Sequence, residues 1–98
     1  MSVFIALHLK PKEGQTEALV AAMKNAVPKM KEKEGCVGVK PLIARDKSAA
    51  LIMAEFGDAA KFDSTIAAAK GSGKFDELKS KLEAVATVHV QTYTLGQA

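Results

Sequence analysis

Two histidines stand out, because His8 and His89 each interrupt an otherwise apolar run, Val3 to Leu9 and Val88 to Val90. Histidine is the one side chain whose intrinsic titration falls near neutral pH, so a histidine facing a ligand can accept a proton from a phenol or supply an imidazole nitrogen to a metal. A competent metal site needs a third ligand, and no His, Cys or acidic spacing provides one. A hydrogen-bonded pair at a strand end or subunit seam is the structural alternative. Tyr93, the only tyrosine, follows His89 by four residues and can orient a substrate oxygen or pack as an amphipathic aromatic. Glu55, between Ala54 and Phe56, is a candidate base whose commoner fate is pairing with a lysine or with Arg45. Cys36 has no neighbour that lowers a thiol pKa and reads as a small hydrophobe. Gly71-Ser72-Gly73-Lys74 fails as a phosphate loop, because Ala68 stands where a glycine is needed and Phe75 where a Ser or Thr is needed.

The elements that must hold these groups follow from periodicity. From Ser2 to Lys10 the residues alternate, with Val3, Ile5, Leu7 and Leu9 on one face and Phe4, Ala6, His8 and Lys10 on the other, a strand pattern. Pro11 to Gly14 breaks it. Leu19, Met23, Ala26, Val27 and Met30 then recur at helical spacing, with an end expected at Gly35 and a kink or break at Pro28. Cys36 to Ala44 predicts a strand weakened by Gly38 and Pro41, as at a bulge or sheet edge, and Leu51 to Phe56 its hairpin partner. Asp58 is placed to cap a helix with Ala59, Phe62, Ile66 and Ala69 as its stripe; Gly71 to Gly73 interrupts it, and Phe75, Leu78, Leu82 and Val85 mark a further helix. Thr87 to Leu95, rich in Val and Thr, is the last strand.

The order β, α, β, β, αα, β is the split βαβ, ferredoxin-like arrangement, an α+β fold in which a four-stranded antiparallel sheet carries its helices on one face. In that order the last strand lies beside the first. Matching the apolar faces puts His8 on the same side as His89, Gln91 and Tyr93, so the two histidines become neighbours or direct cross-strand partners.

The chain has 98 residues, 48% hydrophobic and 26% charged, consistent with one domain over 1–98. A chain this short buries only about 60–65% of its unfolded surface, and no element remains to cover the second sheet face, so a homodimer packed sheet to sheet is expected. The formal charge is +3, with 14 basic residues of which Arg45 alone is arginine, and acidic residues interspersed. That pattern argues against nucleic acid as a partner. No run approaches the roughly 20 apolar residues that span a bilayer, and a single cysteine suits a reducing compartment, so a cytoplasmic protein without a membrane partner is expected.

Lys10-Pro11-Lys12-Glu13-Gly14 after the first strand, Glu34-Gly35-Cys36 after the first helix and Ala54-Glu55-Phe56 closing the hairpin resemble the antibiotic biosynthesis monooxygenase family of dimeric α+β barrels. The resemblance covers almost the whole chain and implies a repertoire of cofactor-independent phenol and quinol oxidation, haem degradation and action on small signalling molecules. Haem-degrading members resemble one another in an Asn, a Trp and a helix His where this chain has Leu7, Phe56 and no histidine between Asp58 and Lys70, which disfavours that branch. Of the aromatic residue and helix histidine shown by many quinol-oxidising relatives, only Phe56 is matched. The expectation is a monooxygenase without haem, flavin or metal, acting on a small aromatic or quinol-like compound in a pocket between sheet and helices. His8 or His89 would accept the proton, and Tyr93, Glu55 and Phe56 would contact substrate. The competing class is a small-ligand binding or interaction module that keeps the barrel without catalysis.

Overall fold

A computed structural model describes residues 2–95. The strands are β1 (Val3–Pro11), β2 (Cys36–Ile43), β3 (Ala50–Phe56) and β4 (Ala86–Thr94); the helices are α1 (Thr16–Lys31), α2 (Ala59–Gly71) and α3 (Lys74–Glu83). The four strands form one antiparallel sheet in the order β2-β3-β1-β4, the ferredoxin-like α+β arrangement the periodicity predicts. Val3, Ile5, Leu7 and Leu9 of β1, with Ile52, Ala54 and Phe56 of β3, meet Leu19, Met23, Ala26 and Met30 of α1, Phe62 of α2 and Leu82 of α3 in one buried core. Each large aliphatic side chain sealed there contributes roughly 1.5–3 kcal/mol.

Helix α1 passes through Pro28 without a break. Proline lacks the N–H that would reach the Lys24 carbonyl, but that residue lies on an exposed turn close to the helix end, where water can substitute. The helix ends at Lys31, earlier than Gly35 suggests. Gly35 instead closes the turn that follows, at φ +84°, where a Cβ would stand 3.3 Å from that of Lys61. Helix α2 opens on Asp58, whose carboxylate accepts from the N–H groups of Ala60 and Lys61 at 2.7 and 3.3 Å.

Strand β2 lies at the sheet edge and carries a bulge between Cys36 and Gly38, the two alternatives raised by Gly38 and Pro41. In the β2–β3 turn, Asp46 accepts from the Ser48 hydroxyl at 2.6 Å and its N–H at 3.0 Å, which holds its carboxyl below the usual carboxylate range. The helices cover one sheet face only. On the other, successive rows across β2, β3, β1 and β4 read Gly38-Glu55-Phe4-Tyr93, Lys40-Met53-Ala6-Gln91 and Leu42-Leu51-His8-His89.

Candidate functional site

Because Leu7 and Leu9 turn into the core, the alternation of β1 sends His8 to the open face, and the antiparallel register of β4 sets His89 directly opposite it. The imidazole rings stand side by side, 5.9 Å between centroids and tilted by 39°. Both are exposed. Tyr93 pairs with Phe4, four residues from His8 along β1, yet its ring reaches back over the intervening row, and its hydroxyl lies 3.1 Å from His8 Nε2. Ala6, in that intervening row on the open face, is only 1% exposed. The tyrosine and His8 rings meet edge to face, with centroids 6.3 Å apart.

Beside the histidines, toward Lys10 and Thr87, lies a hollow of about 310 Å³, near the lower bound of the ~300–1,000 Å³ common for small-molecule sites. The arrangement offers two proton acceptors on one rim and a phenolic hydroxyl fixing one of them. His8 and His89 could also supply two imidazole ligands, but the described residues contain no cluster of three metal-ligating side chains.

The other candidates do not join this group. Glu55 shares the open face, but it sits beside Phe4, and its Oε2 accepts a 2.8 Å hydrogen bond from the Ser2 hydroxyl instead of meeting a lysine or Arg45. Phe56 is one residue further along β3 and therefore on the opposite face, 2% exposed, with its ring edge to face on Phe62 at 5.1 Å. It is a core residue. Cys36 is half-buried, with its thiol 3.6 Å from the Gly38 carbonyl.

The expected pocket between sheet and helices also needs correction. The space there, walled by Ile5, Leu7, Phe56, Ile66 and Phe75, is about 50 Å³, whereas an apolar cavity that takes up benzene is roughly 150 Å³. Neither histidine borders it. The parity that carries Val3, Ile5, Leu7 and Leu9 inward excludes His8 from that side. Lys10 and Thr87 border the hollow without any motif to mark them as site residues, although the same parity places Lys10 on the histidine face and the register pairs it with Thr87.

No protein-family model and no curated protein matches the sequence. Solved structures do match the fold. SnoaB from Streptomyces nogalater, a cofactor-independent oxygenase, superimposes with a TM-score of 0.78 at 17% identity, over 99% of this chain and 95% of that one. A protein from Bordetella bronchiseptica assigned to the antibiotic biosynthesis monooxygenases gives 0.75 at 12% identity over 98% of both chains. Protein SO0527 from Shewanella oneidensis gives 0.69 at 26% identity, over 94% of this chain and 88% of that one. The chain has the fold of the antibiotic biosynthesis monooxygenases.

Proposed function

We propose that this protein is a cofactor-independent monooxygenase of small phenolic or quinol-like compounds, working as a homodimer, with the open-face hollow as its substrate site. The observation that carries the reading is the pair His8 and His89 at the rim of a hollow of ligand size, with the Tyr93 hydroxyl 3.1 Å from His8 Nε2. The likeness to an oxygenase fold supports the reaction class by analogy.

The chemistry asks little of the protein. A base removes the phenolic proton, and the electron-rich anion reduces dioxygen and combines with it at a ring carbon. Loss of water from the resulting hydroperoxide leaves a quinone. One oxygen atom enters the ring and the other departs as water, so the substrate supplies all the electrons and no external reductant is consumed. In the tautomer whose His8 Nε2–H donates to the Tyr93 oxygen, Nδ1 keeps the lone pair that accepts the proton, and the imidazolium can return it to the departing hydroxide. His89 is a second acceptor on the same rim. A partner packed against the open face would cover the hollow and exclude water, which also strengthens the polar contacts inside it.

Aerobic incubation with a panel of phenols and hydroquinones under ¹⁸O₂ tests the reading. The expected result is oxygen uptake with one labelled atom in the quinone, abolished by boiling the protein. Uptake without label in product, or tight binding without uptake, favours the binding-module alternative. Light scattering should report roughly 20 kDa, twice the 10.3 kDa chain; a stable monomer at micromolar concentration would leave the hollow uncovered and remove the water-exclusion step.

A further inference from the structure

On the helix side, remote from the histidines, a second hollow of about 380 Å³ opens between the end of α1 and the length of α3. Lys74, Glu77, Leu78 and Lys81 line it from α3 at steps of three, one and three, the spacing of a single helix face, and Lys29, Met30, Glu32 and Lys33 line it from the last turn of α1 and the turn after it. Four lysines face two glutamates, leaving a net excess of two positive charges around one opening.

Lys29 and Lys81 each stand in the last turn of their helix and complement its dipole, but Lys74 stands at the first residue of α3, the end where a cation is disfavoured. Glu77 pairs with Lys81 at 3.4 Å. Lys29 borders the same opening as Lys81, whose ammonium holds that of Lys29 below the usual lysine range, with Glu77 and Glu32 opposing it in part. An anion seated between the two ammonium groups relieves that repulsion. Below the charged rim the floor is apolar. Met30 and Leu78 form it, and both also line the narrow space that continues to Ile5, Ile66 and Phe75.

We infer that this groove binds an amphipathic organic anion, with its acidic group between Lys29 and Lys81 and its apolar body on Met30 and Leu78. A ring lies in the groove itself, since the space beyond is too small for one. The site is separate from the His8–His89 hollow, and its occupancy does not depend on the protein being an oxygenase.

Titration calorimetry with 2-naphthoate, against its uncharged carboxamide as control, tests the inference on the wild-type protein. The carboxylate should bind with a Kd at or below about 1 mM, roughly tenfold or more tighter than the carboxamide, and weaken as salt is raised. The Lys29→Gln/Lys81→Gln variant should lose about tenfold or more in affinity. A Lys24→Gln/Lys31→Gln variant removes the same charge from exposed positions outside the groove and should bind as wild type. Equal affinity for acid and amide, no binding of the acid at about 10 mM, or the same loss in both double variants would each overturn the proposal.

Discussion

The two faces of the sheet are built by the same strands from neighbouring residues, and they have opposite characters. On the helix side, Ile52 is fully buried and Leu7 and Leu9 nearly so, all closed under α1 to α3. One residue away on each strand, Leu51, His8 and Lys10 look outward, and the open face mixes Phe4, Met53 and Leu42 with Lys40, Gln91, two histidines and Tyr93. A face that serves only stability has no use for an imidazole, because any polar group buried there needs a partner. The helix side accordingly supplies the folding energy. The open side holds groups that a core would have to exclude, and those are the groups that can do chemistry.

The largest effect that tests this division is functional. His8→Ala and His89→Ala should each lower turnover of a phenolic substrate by about 100- to 10,000-fold if that residue is the base. Both side chains are exposed in the single chain, so the stability of the monomer to urea should change by no more than roughly 0.5 kcal/mol. A loss of stability with unchanged activity per folded molecule would reverse the assignment and make the pair structural.

The complementary substitution lies on β3. Ile52→Ala empties a fully buried site in the core between sheet and helices, and should cost about 2–5 kcal/mol. Its neighbour Leu51 points the other way and is half-buried in the single chain, so Leu51→Ala should cost under about 1.5 kcal/mol in a monomer. Denaturation midpoints at two protein concentrations sharpen the contrast. A Leu51→Ala penalty that appears together with a loss of concentration dependence would place this residue in the subunit contact.

Much of this is legible in the sequence because period two and period three or four are direct readouts of which side faces the core. The parity of β1 places His8 with His89 and Tyr93, and the ferredoxin-like order brings β4 alongside, so the direct His8–His89 pairing can be anticipated. The cap at Asp58 and the weakened edge strand follow from residue type. Side-chain reach and cavity size are not legible. No pattern tells that Tyr93 folds back across a row to His8, that Glu55 turns to Ser2, or that the space under the helices closes to about 50 Å³. Pro28 misleads for a related reason: its cost depends on whether the deprived carbonyl can find water, and at exposed Lys24 it can.

The smallest expected effect belongs to Tyr93→Phe, which removes one hydroxyl and keeps the ring. In the single chain the lost hydrogen bond to His8 is exposed and water replaces it, so the stability of the monomer should change by under about 0.5 kcal/mol. Its consequence for turnover is indirect. Without the tyrosine oxygen, nothing else among the described contacts favours the His8 tautomer that leaves Nδ1 free, and the ring can rotate away from substrate. A few-fold fall in kcat at an unchanged KM is the expected signature of a residue that positions the base, on the order of 1 kcal/mol in barrier height. A double variant separates this from a passive role. If Tyr93 acts through His8, the His8→Ala variant should show no further change when Tyr93→Phe is added. Additive losses in the double variant would mean that Tyr93 acts independently of His8 and would remove its positioning role.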